Sequence, residues 1–520
     1  MDFTPLDVKS SYSLLKSPTR ISDLVTTAKE RGYKALALTD ENVLYGAVEF
    51  YNAAKKAGIK PIFGLRLVVA LNETDGTKLD LVFLAKNQRG YQHLMDLSTL
   101  QQTRKDKKAP LTVAQISPLL NELFIIIPPQ STVFSVLAQP TSILTELANL
   151  GDDDSVLLGV NSRLDDVQID TLQQLSKQLS LPLVGTSPVD YLNANDLFAS
   201  RVLQAIDAGV ELKDPTIEAE RRGQHYLHSK EQVIQDYKAK GLSAAAQKTV
   251  EVATLCNVEL QFRAPVLPHF KNQAGISSQQ YLRSLCIQGL KKRRVAPGKT
   301  IQQYQERLAM ELKIIHEMGF DDYFLIVWDV INFAHQQKIT TDPGRGSAAG
   351  SLVAYALAIT EVDPLQYDLL FERFLNPERA QMPDIDLDIP DNRRDEVLQY
   401  VHQKYGHQRV AQIITFGTLA AKQVVRDVSR VFNLPRYDMQ RLIDALPHGL
   451  HVTLKDALNE SQQLKNLLDD NPKFRLLIQV AQQLEGLPRH YSIHAAGIVL
   501  SEQPLHEVVP LQDGSDGLLM

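Results

Sequence analysis

Short apolar segments alternate with amphipathic ones over residues 1–200, and this alternation constrains the fold more than any other feature. Residues 21–31 and 46–57 have apolar side chains at helical spacing, and each segment leads into a short apolar run typical of a buried strand. The strand candidates are Ala35–Leu38, Lys60–Phe63, Leu81–Leu84, Leu123–Ile127, Val156–Val160 and Pro182–Gly185. Strands that alternate with helices predict an α/β fold with a largely parallel sheet. Seven or so strands could also close into a barrel, which the pattern leaves open.

After residue 200 the pattern changes to longer helices. Helical spacing dominates Ser278–Gln337 and Phe416–Asn471, where no strand is evident, whereas Ala495–Leu500 reads as a strand. The pattern predicts a mixed α/β domain that is interrupted by a helical insertion and resumes near residue 490. We therefore expect a multidomain α/β protein with units at 1–270, 271–415, 416–490 and 491–520.

Composition excludes several classes of protein. The 520 residues are 44% hydrophobic and 22% charged, as in ordinary globular chains of several domains. Two cysteines, Cys256 and Cys286, rule out a disulfide scaffold or a Cys-rich zinc module and suit a reducing, cytoplasmic environment. No apolar run approaches the roughly 18 residues of a membrane helix, so no membrane partner is expected. The net charge of −6 counts little against nucleic acid, because metal-binding carboxylates and DNA-binding cations cancel in such a sum.

Three aspartates alternate with apolar residues in the segment PDIDLDI. On a strand, Asp384, Asp386 and Asp388 would project from one face and the apolar side chains from the other. Carboxylates crowded on one face repel one another unless a cation compensates them, and Mg²⁺ prefers oxygen ligands. The segment therefore predicts a metal site. The alternative is an exposed edge strand whose charges prevent aggregation.

Glycine and serine are concentrated in PGRGSAAGS, ahead of the apolar run LVAYALAI. Glycines let backbone amides approach a ligand, and the start of a helix presents unpaired N–H groups. We expect Gly344, Gly346 and Ser347 to form a triphosphate cradle, with Arg345 supplying positive charge. The segment is not a P-loop, because no Gly-Lys-Ser/Thr follows at the required spacing. The alternative is a glycine turn with close helix packing.

The cradle and the aspartates lie about 40 residues apart in the chain. A phosphate-binding loop beside a carboxylate pair suggests metal-assisted phosphoryl or nucleotidyl transfer. Arg373 and Arg379, which lie between the two motifs, could bind nucleotide phosphates as further cations; the alternative for each is a surface or structural ion pair.

The chain resembles the C family of bacterial replicative DNA polymerases, the DNA polymerase III α type, in five ordered segments: MGFDDYFLIVWDVINFA, PGRGSAAGSLVAYALAIT, LLFERFLNPER, PDIDLDI and AQIITFGTLAAKQVVRDV. Near the N-terminus, ALALTDENVLYGAVEFYNAAKKAGIKPIFG resembles the PHP domain that opens these polymerases, in a form most similar to that of Gram-positive bacteria. The resemblance covers essentially the whole chain.

The resemblance implies a fold for each unit. Residues 1–270 would form a PHP-type β/α barrel, and 271–415 with 491–520 a palm of the polymerase-β-like nucleotidyltransferase fold. Residues 416–490 would be an α-helical thumb. Asp386 and Asp388 match two of the family's three catalytic aspartates, which bind two Mg²⁺ ions. The third belongs to a Lys-x-Asp segment that we do not find, so we expect an N-terminal fragment that is inactive by itself.

The implied partners are primer–template DNA, dNTPs and other replisome subunits such as the sliding clamp, the last bound by regions beyond this chain. On the thumb, Lys422, Arg426 and Arg430 are spaced four residues apart, which places them on one helical face. We expect them to contact DNA phosphates. The alternative is solvent-facing cations paired within the helix.

By resemblance, the metal ligands of the PHP domain are mostly replaced here. The family's ligand positions align with Asp7, Lys9, Asp40, Glu41, Arg66, Asp80 and Asp190. A metal cluster beside the cations Lys9 and Arg66 would be repelled. We therefore predict a degenerate site without metal, in which Arg66 and Lys9 pair with the acids. The alternative is that the remaining acids hold one metal weakly.

Three functions stay under consideration. The first is a template-directed DNA polymerase. The second is a PHP-type phosphoesterase with a DNA-binding extension, against which the loss of ligands at Lys9 and Arg66 counts. The third is a DNA-binding scaffold without chemistry of its own, which would suit this chain in isolation.

Overall fold

A computed structural model describes residues 2–72, 78–131, 140–149, 151–152, 154–262, 266–379, 382–449, 452–514 and 516–520. The strands of the N-terminal domain are β1 (Ala35–Leu38), β2 (Lys60–Ala70), β3 (Lys78–Ala85), β4 (Leu111–Thr112), β5 (Leu123–Ile127), β6 (Val156–Val160) and β7 (Leu183–Gly185). Its helices are α1 (Ile21–Glu30), α2 (Ala47–Ala57), α3 (Gln88–Gln102), α4 (Val113–Ile116), α5 (Pro140–Ala148), α6 (Asp166–Leu179), α7 (Leu197–Ala208), α8 (Pro215–Glu220), α9 (Lys230–Ala239) and α10 (Ser243–Leu255).

One curled sheet forms the centre of this domain, in the order β1-β2-β3-β5-β6-β7, with β4 beside β2. Four of its pairings are parallel, whereas β3 runs antiparallel to both β2 and β5. The prediction of a largely parallel sheet therefore needs one correction, at β3. Residues 71–77 join β2 to β3, and seven residues are too few for the crossover that parallel neighbours need. Every residue of β5 and β6 is buried, which explains their unbroken apolar runs.

The N-terminal segment joins the two edges of this sheet. On one side, the N–H group of Ala37 in β1 donates to the carbonyl of Pro5. On the other, the N–H group of Val189, which follows β7, donates to the carbonyl of Asp7. The curled sheet and this connection agree with the barrel-like fold that the sequence left open.

The second half of the chain is mainly helical. Its elements are α11 (Ser278–Leu290), α12 (Ile301–Glu317), α13 (Asp321–Gln336), α14 (Leu352–Ala356), α15 (Arg394–Tyr405), β8 (Val410–Thr418), α16 (Ala421–Val431), α17 (Arg436–Asp444), α18 (Leu454–Glu460), α19 (Gln462–Asp470), α20 (Pro472–Leu484) and β9 (Pro488–Leu500). The helices α11 to α14 share one apolar core, and α16 to α20 share another with α7 of the N-terminal domain.

The strands β8 and β9 form an antiparallel pair on either side of α16–α20. The helical insertion is therefore shorter than the sequence predicts. Residues 416–418 belong to β8, with Phe416 opposite Tyr491, and β9 begins at Pro488 rather than near Ala495. Residues 416–418 and the first residues of β9 are half-exposed, so they lack the apolar run by which a buried strand is recognised in sequence. They are strands because they pair with each other.

Candidate active site

The three aspartates of PDIDLDI lie in an extended segment that is not a strand, contrary to the prediction. Within the described residues it pairs with no other strand; instead, the Ile385 N–H group donates to the Tyr323 hydroxyl at 3.2 Å. The expected alternation is nevertheless present. Asp384, Asp386 and Asp388 are exposed, whereas Ile385 and Leu387 pack against the core of α11–α14. Apolar anchoring on one side thus produces the same alternation as a paired strand.

The glycine loop meets the aspartates through Arg345. Its Nε lies 3.1 Å from Asp388 Oδ2, and its Nη2 lies 3.4 Å from Asp386 Oδ1. All three side chains are about half exposed. The structure therefore brings together the two motifs that are separated in sequence, and a guanidinium group already balances the carboxylate pair.

Two further polar residues line the cleft between Arg345 and the aspartates. Asp342 accepts a hydrogen bond from the Gly344 N–H group, and its own N–H group donates to the carbonyl of Asp388 at 3.4 Å. Thr360 Oγ1 is buried and has no hydrogen-bond partner among the residues that the structure describes. Sequence reasoning missed both. An acid directly before Pro-Gly was the available signal for Asp342, because Asp commonly accepts from the backbone of a following turn.

The backbone conformation of the loop explains why glycine occurs at positions 344 and 346. Gly344 has φ of 115° and Gly346 has φ of 62°, in the region that favours glycine. A Cβ atom on Gly344 would also lie 2.9 Å from the side chain of Thr360. The loop then forms a 3-10 turn over Gly346–Gly350, in which Ser347 is exposed. Residues 345–347 are exposed and could meet a ligand, whereas the Gly344 N–H group is already bonded to Asp342.

The N–H groups at the start of α14 already donate to a side chain of the protein. This corrects the expectation that they would bind phosphate. Glu311 of α12 is fully buried and accepts hydrogen bonds from the N–H groups of Leu352 and Val353 and from the Ser351 hydroxyl, all at 3.0 Å. Burial raises the pKa of Glu311, although these donors and Arg307 oppose the effect. Any phosphate contact must therefore come from the loop before the helix.

Arg307 connects the loop to the segment that carries Arg373. Its guanidinium pairs with Glu311 at 2.6 Å and donates to the carbonyls of Gly350 and Leu369. Arg373 ends the 3-10 turn Phe371–Arg373 and is exposed. Arg379 ends a further turn, Pro377–Arg379, but its side chain lies outside the described part of the structure.

The three predicted thumb cations lie on α16. Arg426 and Arg430 are exposed and Lys422 is half-buried. Arg430 lies 3.6 Å from Asp427 of the same helix, so the intrahelical alternative applies to it in part. Within the described residues, Lys422 and Arg426 form no ion pair.

In the N-terminal domain, Arg66 and Lys9 pair with four of the five predicted acids. Arg66 contacts Asp7 at 2.7 Å and Asp80 through two further hydrogen bonds. Lys9 lies 2.8 Å from Glu41 and 3.2 Å from Asp190. The exception is Asp40, which is buried and accepts from the hydroxyls of Ser10 and Ser13 instead. Sequence reasoning missed His225, whose Nδ1 lies 2.9 Å from Asp190.

The contacts between Lys9, Asp190 and His225 shift the pKa values of Asp190 and Lys9. Burial alone would raise the pKa of Asp190, but the hydrogen bond with His225 and the charge of Lys9 lower it to about 2. Burial would lower the pKa of Lys9, yet Asp190 and Glu41 raise it above its ordinary value. The Asp190 carboxylate is thus held in the charged form by Lys9 and His225. The described residues contain no group of three or more His, Cys, Asp or Glu side chains arranged to hold a metal ion.

None of the helices in the described part of the chain is both long enough and apolar enough to cross a membrane.

Comparisons with known proteins follow the same division of the chain. A family model described as "Bacterial DNA polymerase III alpha NTPase domain" matches residues 280–518, and the PHP domain model matches residues 5–128. Among solved structures, an amidohydrolase from Chromobacterium violaceum covers 36% of this chain and 87% of its own, at 13% identity and a TM-score of 0.26, a similarity too low to support an argument.

Curated relatives match over nearly the whole chain. The DNA polymerase III subunit alpha of Bacillus subtilis is 41% identical and that of Halalkalibacterium halodurans 42% identical, covering 100% and 99% of this chain and 46% of each relative. The Staphylococcus epidermidis protein of the same name is 36% identical over 99% of this chain and 45% of its own length. The chain therefore spans about half the length of the curated relatives it matches. With a PHP domain followed by the polymerase domain, and this identity along its whole length, the chain belongs to the family of bacterial DNA polymerase III α subunits.

Proposed function

We propose that this chain supplies the PHP domain, palm and thumb of a replicative DNA polymerase that adds nucleotides from dNTPs to a primer 3′-hydroxyl. The observation that carries the proposal is the position of Arg345 against Asp386 and Asp388. It places a glycine-rich loop, suited to phosphates, beside a carboxylate pair suited to divalent cations. The division into 1–270, 271–415, 416–490 and 491–520 belongs to this proposal, with the thumb helices at 421–484.

The residues present fit a Mg²⁺ site. Asp386 and Asp388 offer only oxygen donors, their side chains are 47% and 49% exposed, and the pair already attracts a cation, Arg345. We expect both aspartates to hold the metal. When bound, two Mg²⁺ ions would stabilise the attacking and leaving oxygens of the transfer.

The side chains of this site then position the reactants. The amides of the exposed residues 345–347 and the Ser347 hydroxyl hold the β- and γ-phosphates, whereas the Gly344 N–H group stays with Asp342. Arg345 turns from the carboxylates to the triphosphate. Arg373 and Arg379 add positive charge from the neighbouring segment. In the transfer, a bond forms between the primer 3′-oxygen and the α-phosphorus, and the bond to pyrophosphate breaks. Positioning of this kind accounts for most catalysis of phosphoryl transfer.

For the PHP domain we propose no hydrolytic activity. The ion pairs of Arg66 and Lys9 support this proposal, because their guanidinium and ammonium groups pair with the carboxylates that a metal cluster would need as ligands. A PHP phosphoesterase is therefore the weaker candidate. For this chain by itself we expect DNA binding without synthesis.

The test uses a chain extended to the length of the relatives. Asp386→Asn and Asp388→Asn should each abolish nucleotide incorporation while leaving the melting temperature nearly unchanged, since both side chains are exposed. Asp384→Asn, in the same segment, is the matched control and should retain most activity. Substantial incorporation by either of the first two variants would contradict the assignment. Hydrolysis of phosphoesters by the present chain would favour the phosphoesterase instead.

A further inference from the structure

A crevice of about 610 Å³ lies where the N-terminal domain meets the beginning of β9. One wall is the loop that follows α3, with Arg104, Lys105 and Lys107. The other wall includes Tyr491 of β9 together with Asp513, Gly514, Gly517 and Met520. None of the motifs considered above includes this crevice.

The loop wall carries several positive charges, and Asp513 of the opposite wall lines the crevice with them. Its sequence, RKDKK, has four cations and one acid between residues 104 and 108. Within the described residues, none of the four cations forms an ion pair. Arg104 donates to the neutral side chain of Gln115 at 2.9 Å, and Asp106 accepts from the Lys108 N–H group rather than from a charged nitrogen. The four cations outnumber the acids Asp106 and Asp513, so this concave surface has a net positive charge, which attracts anions.

The opposite wall offers an aromatic ring fixed by this loop. Lys107 Nζ donates to the Tyr491 hydroxyl at 3.2 Å and to the main-chain carbonyl of Asp513 at 2.8 Å, and it lies 5.4 Å from the centre of the Tyr491 ring. A groove that combines cations with an aromatic side chain is typical of proteins that bind single-stranded nucleic acid, because phosphates meet the cations while bases stack on the ring.

The start of β9 also contacts the helix for which DNA contact is proposed above. Arg489 precedes Tyr491 by two residues and lies at an irregularity in the pairing of β9 with β8. Arg489 donates to Asp427 of α16 at 3.0 Å, in the helix that carries Arg426 and Arg430. The helix α16, through Asp427, and the loop of residues 104–108, through Lys107, therefore both contact the first residues of β9.

We propose that this crevice binds a single strand of DNA, with phosphates against residues 104–108 and a base against Tyr491. The proposal rests on the polymerase function above and extends its DNA contact into the N-terminal domain. An unpaired strand fits better than a duplex, because bases in a duplex stack on one another and present no free face to a ring. An acidic polypeptide would meet the same charges but would gain less from Tyr491.

The experiment measures binding of labelled oligo(dT) to this chain by fluorescence anisotropy over a series of salt concentrations. The test variant replaces Arg104, Lys105, Lys107 and Lys108 with Gln. Its matched control replaces four dispersed, exposed lysines of the same domain with Gln: Lys29, Lys56, Lys177 and Lys238. Both variants lose the same charge, so a difference between them reports position rather than net charge.

We expect the substitutions of the test variant to raise Kd about tenfold or more. The slope of log Kd against log salt concentration should decrease by up to about 3. The control should change Kd less than about twofold. Tyr491→Leu should raise Kd about tenfold without changing the salt slope, whereas Tyr491→Phe, which keeps the ring, should bind nearly as well as the parent chain. Melting temperatures verify that each variant is folded.

Equal loss of binding in the test variant and the control would overturn the proposal, as would parent-like binding by the test variant. Competition by poly-glutamate as effective as that by unlabelled DNA would assign the crevice to acidic polypeptides instead. The affinity for a blunt DNA duplex separates this proposal from the polymerase function. This affinity should fall when Lys422, Arg426 and Arg430 are replaced by Ala, and it should stay unchanged in the crevice variant. If only the crevice proposal is contradicted, the proposed DNA contact of the thumb still stands.

Discussion

Arg66 holds Asp7 through both carboxylate oxygens, each 2.7 Å from Nη1, inside the N-terminal domain. Asp7 is 2% exposed and Arg66 is 7% exposed, so water screens this pair very little. The other side of the guanidinium contacts Asp80. One fixed cation thus compensates two acids in positions where the resemblance implies metal ligands.

Arg66→Met should destabilise the protein by about 3–5 kcal/mol, because Asp7 would be left charged and buried without a partner. Chemical denaturation followed by circular dichroism measures the loss. Arg222→Gln, at an exposed arginine of the same domain, is the control and should change stability by less than about 0.5 kcal/mol. Combining Arg66→Met with Asp7→Asn should cost less than the sum of the two single changes. Simple additivity would show that the pair is not coupled.

Removal of metal ions by a chelator should leave the stability of the N-terminal domain unchanged, because four of the five acids pair with Arg66 and Lys9 rather than with a metal ion. We expect the melting temperature to be the same with and without EDTA, and elemental analysis of purified protein to find no stoichiometric Zn²⁺ or Mn²⁺. A bound transition metal at this site, or a large fall in melting temperature in chelator, would establish the weak-metal alternative.

Stability should depend on the charge of Asp190 in acid. Its folded pKa of about 2 lies below the ordinary value of 3.8, so its contribution is present above about pH 4 and is lost as the pH falls towards 2. The shift corresponds to on the order of 2 kcal/mol. Denaturation measured across this range should show a steeper decline for the parent chain than for Asp190→Asn. Parallel curves would mean that the Lys9 and His225 contacts do not stabilise the charged form.

Arg345 should oppose metal binding at Asp386 and Asp388 and should strengthen the binding of dNTP. Its pairs with Asp386 and Asp388 are half exposed, so Arg345→Gln should strengthen Mn²⁺ binding at these aspartates only about two- to fivefold. The same variant should weaken dNTP binding, and Ser347→Ala should weaken dNTP binding more than DNA binding. Electron paramagnetic resonance measures free Mn²⁺, and Asp386→Asn supplies the background. If Ser347→Ala alters both affinities equally or neither, the loop serves packing instead.

Replacing Lys422, Arg426 and Arg430 with Ala should lower affinity for duplex DNA and flatten its salt dependence. Each phosphate contact contributes about 0.9 to the slope, and Arg430 is partly engaged by Asp427, so we expect a decrease of about 2. Affinity titrations at several salt concentrations give the slope. An unchanged slope would leave only the intrahelical role.

The sequence by itself determined the elements whose signal is local. The strands β5 and β6 begin and end where their apolar runs do, because every residue in them is buried. The alternation of Asp384, Asp386 and Asp388 with apolar residues also survives, since one apolar side anchors the segment whether or not it is a strand. The ordered motifs likewise predicted the family, which the comparisons confirm.

Only the tertiary structure decided the contacts between residues distant in sequence. Glu311 lies about 40 residues before the helix start that it caps, and no periodicity in either segment announces the pairing. Residues 416–418 are a strand because Tyr491 and its neighbours lie opposite them, not because of their own composition. The loop after α3 reads as a solvated run of charges until the fold places it against β9. Local patterns record burial and backbone preference, whereas these features follow from which segments meet when the chain packs.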